Sequence, residues 1–151
     1  MAIRDTTKKP FIEDRNSNIF IGIDYPFRKS NGVEGYFAST DTTIKAVKNN
    51  LKMLLSTHQG ERLMQPKLGT GLRKFLFEQF TEDTTIAIQN EIIDMCNRWL
   101  PFVEIKELNI NMDRPDAMGK NKMIIFILFN IILDSNTLES VEIEIGETSA
   151  L

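Results

Sequence analysis

The sequence has few of the residues on which disulfide-stabilised and metal-binding proteins depend. One cysteine, Cys96, and one histidine, His58, occur in 151 residues. A single cysteine forms no internal disulfide. Cys96 and His58 together supply only two of the four ligands of a structural zinc site. We therefore expect no metal and no cofactor. A chain of this length still buries roughly 70% of its unfolded surface, which is enough for one domain without disulfides.

Long apolar segments are also missing. The longest apolar run, Met123 to Leu133, has eleven residues and is interrupted by Asn130. A membrane-spanning helix needs about 20 apolar residues. Residues 1–18 are polar and lack the apolar core of a signal peptide. We therefore expect a soluble protein that is made in the cytoplasm and has no membrane partner.

Basic residues are missing from the C-terminal end. The net charge is −3, which argues against a dedicated nucleic-acid-binding protein. Residues 1–30 hold six Lys/Arg and four Asp/Glu, whereas residues 134–151 hold five acidic residues and no basic one. Because the two ends differ in sign, we expect one or both to contact a partner.

Apolar residues recur with the helical period in two segments. The spacing predicts one helix from about Asp41 to Thr57, with Asp41 as its N-cap, and another from about Asp83 to Trp99. The apolar stripes comprise Ile44, Val47, Leu51, Leu54 and Leu55 in the first helix, and Thr85, Ile88, Ile92, Met95, Cys96 and Trp99 in the second. Gly60 suits the left-handed position after the first helix.

A short helix is predicted between the two long ones. It begins at about Gly71 and places Leu72, Phe75 and Leu76 in the core, and we expect Phe77 and Phe80 to close that core.

The period changes from 3.6 to 2 after Pro101, which indicates strands. Alternation is clear from Leu108 to Met112 and again from Leu138 to Ile145. The segment Lys122 to Leu133 is apolar on both faces, so we place it in the centre of the sheet. Asp134-Ser135-Asn136 has the composition of a turn. A further short strand is expected at Ile19 to Ile23, followed by a loop over residues 28–39.

The order of elements predicts an α+β fold in which two long helices and a short helix pack on an antiparallel β-meander. We expect an extended N-terminal arm at residues 1–18, one domain at residues 19–146 and a short tail at residues 147–151.

Two features of the sequence suggest chemistry or binding near the first helix. Glu61 and Glu78 form a candidate carboxylate pair of the kind that hydrolyses glycosides, although such pairs arise by chance in a chain with 21 acidic residues. Gly69-Thr70-Gly71 precedes the short helix and suits either an anion site or a tight turn. The turn is favoured because the Gly-Lys-Ser/Thr ending of a phosphate loop is missing.

The Glu61-Arg62 pair lies in a short connection between Gly60 and Pro66. One interpretation is a solvated surface ion pair that contributes little to stability. The other is that Arg62 acts as a fixed planar donor to a carboxylate or to backbone carbonyls on another chain.

These motifs, taken in order, resemble the small baseplate wedge protein family of contractile phage tails, which includes a baseplate subunit of type VI secretion systems. The resemblance covers about Gly22 to Ile145 and rests on Ile21-Gly22-Ile23-Asp24-Tyr25-Pro26-Phe27, Leu54-Leu55-Ser56-Thr57, Gly60-Glu61-Arg62, Pro66, Gly69 and Leu76-Phe77-Glu78. Some members carry Glu-Pro-Arg where this chain has Glu61 and Arg62 adjacent.

The resemblance implies a structural protein of the virion tail baseplate rather than an enzyme. It implies a fold like the inner domain of the sheath protein, with larger wedge subunits and the tail sheath protein as partners, and tail hub or tube proteins as further candidates. We expect Glu61, Arg62 and Pro66 to contact wedge subunits. Some members carry a lysozyme label, so a peptidoglycan hydrolase is the alternative.

The last strand, Leu138 to Ile145, is the natural receptor for a strand from the first sheath ring unless the N-terminal strand near Ile19 covers this edge. A meander leaves an edge strand with unpaired backbone groups, and strand addition satisfies them. The predicted contact residues are Val141, Glu142, Ile143 and Glu144. The two glutamates favour a basic incoming strand, although an acidic edge that merely prevents aggregation has the same sequence.

Overall fold

The structure, a computed structural model, describes residues 20–30, 36–79, 81–113, 122–132 and 134–146. The predicted arm at residues 1–18 and the tail at residues 147–151 lie outside these residues, and the predicted domain bounds stay a prediction. The elements are, in order, β1 (Gly22–Ile23), β2 (Ser39–Thr40), α1 (Thr43–Ser56), a 3-10 helix (Leu72–Phe77), α2 (Glu82–Trp99), β3 (Val103–Asp113), β4 (Lys122–Ile131) and β5 (Asp134–Gly146).

The chain divides into two compact units whose boundary follows Asn50, inside α1. In the first unit, β1 and β2 pair antiparallel, with Gly22 opposite Thr40. The strand expected at Ile19 to Ile23 is therefore observed over two described residues. The expected loop over residues 28–39 was wrong at its end, since Ser39 begins β2. The strand β2 was not predicted because two residues are too few to show an alternation of apolar and polar side chains. The two strands are also joined by the Thr40 hydroxyl, which donates to the carbonyl of Gly22 at 3.2 Å.

Both long helices lie where the apolar period predicts them, within two residues at each end. Most residues of the two stripes are buried, as listed here: Val47, Leu51, Leu54, Leu55, Ile88, Ile92, Met95 and Cys96. Asp41 accepts from the Lys45 ammonium at 2.8 Å, and Thr81 caps α2 by accepting from the backbone N–H of Thr84 at 3.3 Å. None of the helices in the described part of the chain is both long and apolar enough for a membrane span.

The predicted short helix is a 3-10 helix that contacts α2 and β5. Leu72, Phe75 and Leu76 are buried, as expected. Phe77 does not close the core, because its side chain is 72% exposed. In a 3-10 helix, residues three apart eclipse each other, so the turn that buries Leu72 and Phe75 directs Phe77 outwards. Phe80 lies outside the described residues.

Three antiparallel strands form the sheet of the second unit, in the order β3-β4-β5. The central position of β4 was predicted from its two apolar faces and is confirmed. On the inner side β4 buries Met123, Ile125, Ile127 and Phe129, and β5 buries Val141, Ile143 and Ile145. The α+β class with antiparallel sheets is confirmed.

Two predicted strand bounds were wrong. β3 begins at Val103, and a bulge between Ile105 and Glu107 reverses the phase of its alternation. The chain reverses before the expected turn at residues 134–136, since Ile131 already pairs with Asp134. The pairing of β4 with β5 thus overrides the turn composition of that segment.

Candidate functional site

The segment Gly60–Pro66, here called the 60–66 loop, is closed on itself just after α1. The backbone N–H of Gly60 donates to the carbonyl of Pro66 at 2.9 Å, and Gly60 adopts a φ of +88°. A positive φ is readily available to glycine, so Gly60 suits the reversal of the chain after the helix. The predicted role of Gly60 is confirmed.

Glu61 and Arg62 occupy different environments within this loop. The carboxylate of Glu61 accepts from the backbone N–H of His58 at 2.9 Å, and the backbone N–H of Glu61 donates to the carbonyl of His58 at 3.1 Å. The carbonyl of Arg62 accepts from the N–H of Gln65 at 3.2 Å. Backbone and carboxylate contacts therefore hold the loop, while the residue Arg62 itself is exposed.

The tip of the 60–66 loop presents two apolar side chains whose exposure the sequence pattern does not predict. Leu63 is 95% exposed and Met64 is 94% exposed. One feature of the sequence could have indicated this exposure. Leu63 and Met64 lie between a charged pair and a proline, outside any helical or strand period. Buried apolar side chains commonly carry the affinity of protein interfaces, so the tip has the composition of a contact surface.

The base of the loop is attached to the end of α1 by backbone contacts. The N–H of Thr70 donates to the carbonyl of Thr57 at 2.9 Å, and the hydroxyl of Thr70 donates to the carbonyl of Leu55 at 3.0 Å. Gly69 has a φ of +106°, and a Cβ at this position would lie 2.4 Å from the Thr57 oxygen. Only glycine permits this approach.

The anion-site interpretation of Gly69-Thr70-Gly71 gives way to the tight turn. The backbone N–H of Gly71 donates to the carboxylate of Glu91 at 2.5 Å. The same carboxylate lies 2.9 Å from the ammonium of Lys74. A side chain of the protein itself therefore occupies the donor that an anion would use.

The second candidate site is the outer edge of β5. Pairing with β4 is uninterrupted from Glu139 to Gly146, and the other side of β5 has no strand partner among the described residues. Val141 and Ile143 are buried, whereas Glu142 and Glu144 are exposed. β1 belongs to a different sheet, in which it pairs with β2.

A comparison with protein families decides what kind of molecule carries these two features. Residues 42–135 match the family described as baseplate wedge protein gp25. The chain belongs to this family. It is therefore a baseplate component of a contractile tail or a related injection system, and its place is the virion tail baseplate. The 60–66 loop lies inside the matched residues, whereas Val141 to Glu144 lie beyond them.

Individual relatives agree with this assignment. Baseplate wedge protein gp25 of Enterobacteria phage T4 is 22% identical over 106 residues, which are 70% of this chain and 77% of that protein. The fold is shared with a protein of Geobacter sulfurreducens provisionally described as a tail lysozyme (TM-score 0.59, 22% identity, 73% of this chain and 96% of that one). It is also shared with a chain of the anti-feeding prophage baseplate (TM-score 0.54, 23% identity, 81% of each chain).

The candidate carboxylate pair has little support from its surroundings. Glu61 and Glu78 are both exposed residues. A glycosidase distinguishes its two carboxyl groups by giving one of them an apolar or otherwise tuned environment, and neither glutamate lies in such a place. The likeness to the provisional tail lysozyme shows the fold alone.

The remaining candidates behave as structural residues. Cys96 is buried, and desolvation raises the pKa of its thiol to about 11. A thiol that stays protonated is a poor nucleophile, so Cys96 acts as a small apolar residue, as expected. Within the described residues, His, Cys, Asp and Glu form no group of three that would hold a metal ion.

Proposed function

We propose that this protein is a structural, non-enzymatic part of the baseplate wedge that binds larger wedge subunits through the 60–66 loop and accepts a strand of the tail sheath protein at β5. The open edge of β5 is the observation that carries the second and more specific part of this proposal. Edge strands present a row of backbone donors and acceptors to an incoming strand.

The wedge contact is supported by the build of the 60–66 loop. Its backbone is held by the Gly60–Pro66 hydrogen bond and by Glu61, so binding costs little additional conformational entropy. Arg62 offers a planar, permanently charged donor beside the apolar pair Leu63 and Met64. Arginine is enriched among the residues that dominate interface binding energies, and arginine and methionine are both enriched at protein interfaces.

The sheath contact is supported by the side chains of β5. Residues Val141 and Ile143 point into the core and hold the strand in register, while Glu142 and Glu144 point away from it. Carboxylates on an edge oppose pairing with an identical copy and favour a strand that carries Lys or Arg. The resemblance to the inner domain of the sheath protein, which the sequence motifs imply, supports this edge as the contact for the first sheath ring.

Glu142→Lys tests the sheath contact without touching the core, because Glu142 is exposed. Particles that carry this variant should assemble a baseplate but nucleate sheath poorly, as counted by electron microscopy. Asp94→Lys is the matched control, since Asp94 is an exposed acidic residue on α2. Normal sheath on Glu142→Lys particles would refute a basic incoming strand at this edge.

Val141→Pro tests the edge itself, since proline cannot donate to a β-ladder. The variant should block sheath nucleation. Val141 is fully buried, so its thermal unfolding is measured first, and only folded protein is informative. Sheath that polymerises normally on a folded Val141→Pro protein would overturn the role of β5.

The hydrolase alternative predicts that purified protein degrades peptidoglycan and that Glu61→Gln or Glu78→Gln abolishes this activity. We expect no cell-wall degradation by the unaltered protein in a turbidity assay. Activity that disappears in either variant would replace the structural function proposed here.

A further inference from the structure

The sheet of the second unit has an apolar stripe on the side opposite the core. Along β4, the residues that alternate with the buried set are Ile124, Phe126 and Leu128. Ile124 and Leu128 are half-buried, and Phe126 is 37% exposed although it lies in the central strand. The exposed ring of Phe126 in a central strand indicates that no layer formed by the described residues covers this side of the sheet at that position.

Acidic residues border this stripe on both neighbouring strands. In the strand register of β3, Leu128 lies opposite Glu107, whereas Phe126 and Ile124 lie opposite Asn109 and Asn111. On β5, Phe126 lies opposite Glu142 and Ile124 lies opposite Glu144. The border thus holds one glutamate on β3 and two on β5. The three glutamates are exposed. The stripe and these glutamates are called the outer face below. Lys122, which lies next to the stripe, is 3.0 Å from the carboxylate of Glu144 and neutralises one of the three charges.

We propose that the outer face binds an amphipathic helix of a partner protein, one that carries Lys or Arg on both sides of an apolar stripe. The charge pattern defines the occupant, since an apolar strip between carboxylates complements an apolar strip between cations. Two copies of this chain would instead bring their glutamates together, which disfavours a symmetric dimer through this face.

The dimensions of the outer face fit a single helix. Strands lie about 4.8 Å apart, so β3 and β5 are separated by roughly 10 Å, which is close to the 10–12 Å diameter of a helix with its side chains. The stripe from Ile124 to Leu128 spans about 13 Å at roughly 3.3 Å per residue, or somewhat more than two helical turns. One helix laid along β4 would therefore cover the stripe and place its flanking residues over Glu107 on one side and over Glu142 and Glu144 on the other.

This surface differs from the β5 edge. Strand addition uses backbone groups in the plane of the sheet, whereas the helix would contact side chains above that plane. Glu142 and Glu144 belong to both surfaces. The variants below therefore lie on β3 and β4, and the helix proposal does not depend on the sheath contact.

Synthetic peptides of about 18 residues test the proposal with the full chain. The first peptide has leucines at helical spacing with lysines on both sides, the second has glutamate in place of each lysine, and the third keeps the lysines and scrambles the leucines. Dissociation constants are measured by fluorescence anisotropy, and the contact residues are mapped by NMR shift changes. The first peptide should bind at least about tenfold more tightly than the other two. It should also change the NMR chemical shifts of Ile124 and Leu128.

Variants then assign the binding to the outer face. Phe126→Ser should lower the affinity for the first peptide by about tenfold. Phe77→Ser, which changes an exposed phenylalanine on the 3-10 helix, should leave that affinity unchanged. Glu107→Lys changes an exposed β3 residue, so it should weaken the lysine peptide and strengthen the glutamate peptide even if Phe126→Ser fails to fold. Both variants leave β5 unaltered, so their effect is separate from sheath nucleation.

Several results would overturn the proposal. These are equal affinity for the scrambled peptide, shift changes confined to other surfaces, or unaltered binding by both Phe126→Ser and Glu107→Lys. Dimerisation of the free protein that Phe126→Ser abolishes would identify a second copy as the occupant instead. Shift changes at Ile124 and Leu128 on removal of residues 1–19 would show that the chain covers the outer face itself.

Discussion

The carboxylate of Glu61 accepts a hydrogen bond from the backbone N–H of His58 at a distance of 2.9 Å. This contact spans the end of α1 and the start of the 60–66 loop. The two residues of the predicted pair Glu61-Arg62 therefore have different roles within one loop. Glu61 contributes to the shape of the loop, and Arg62 is the charged group that remains exposed for a partner.

Replacing Glu61 by alanine should loosen this part of the chain. Loss of one hydrogen bond to a carboxylate at an exposed site is worth roughly 1 kcal/mol, so the His58 amide should exchange its hydrogen about fivefold faster. Hydrogen exchange followed by NMR measures this directly. Glu78→Ala removes an equally exposed glutamate and is the control. An unaltered exchange rate in Glu61→Ala would show that the carboxylate does not hold the loop.

Replacing Arg62 by alanine should leave the fold intact and abolish binding to wedge subunits. The residue is exposed, so the free energy of unfolding should change by less than about 0.5 kcal/mol. Co-purification with the wedge subunits of the same particle reports the loss of binding. Lys67→Ala removes a neighbouring exposed cation and should bind normally. Wild-type recovery of wedge subunits by Arg62→Ala would exclude Arg62 as their contact.

The two glycines with positive φ should respond differently to alanine. In Gly69→Ala, both the φ of +106° and the approach of the new Cβ to the Thr57 carbonyl are unfavourable, and we expect a loss of about 3 kcal/mol. In Gly60→Ala no atom lies within 4 Å of the added Cβ, so we expect about 1 kcal/mol from the backbone alone. The free energies of unfolding of the two variants are compared by denaturant titration, provided that the dependence on denaturant concentration has the same slope in both. Equal losses would mean that the loop base relaxes easily.

The buried thiol should make the protein sensitive to alkaline pH. Burial raises the pKa of Cys96 from 9.0 to about 11, so the folded state favours the protonated thiol. This contribution to the free energy of unfolding is fully present below pH 9 and is lost as the pH rises towards 11. A difference of about two pKa units corresponds to roughly 3 kcal/mol. The free energy of unfolding is measured between pH 8 and about 11 for the wild type and for Cys96→Ala. Parallel pH profiles would show that the thiol does not contribute.

Much of the fold follows from the spacing of apolar residues. The helices α1 and α2 each carry a stripe with an unbroken 3.6-residue period, and β5 alternates regularly from Val141 to Ile145. Such patterns survive in the folded protein because one side of each element is buried. The central place of β4 followed from its apolar residues on both sides.

The errors in the strands have local physical causes. Val103 and Ile105 face one way, but the bulge at Lys106 shifts the phase before Leu108 and Ile110 continue the pattern. The first part of β3 therefore shows no continuous alternation in the sequence. At the β4–β5 connection, Asp134 has a turn composition and yet pairs with Ile131, because strand pairing decides where the chain reverses.

The sites were predictable only in part. The open β5 edge and the 60–66 loop follow from element order and from a family resemblance. The exposure of Leu63 and Met64 was not predictable, because a sequence does not show which apolar residues of a short loop fail to reach the core. The exposed Phe126 was missed for the same reason, since an apolar central strand normally has a layer on each side.

The three-stranded sheet is built from one continuous stretch of chain, residues 103–146, in which each strand pairs with the next along the sequence. Contacts between sequence neighbours close short loops, and topologies rich in such contacts fold quickly. The strand β5, which we propose as the sheath receptor, should therefore acquire its register early, without waiting for distant segments to meet. A surface that forms ahead of the rest of the molecule would be ready for its partner soon after synthesis. Its open β-edge is also exposed from that moment until the partner binds, and the carboxylates of Glu142 and Glu144 would limit pairing between identical copies during that interval.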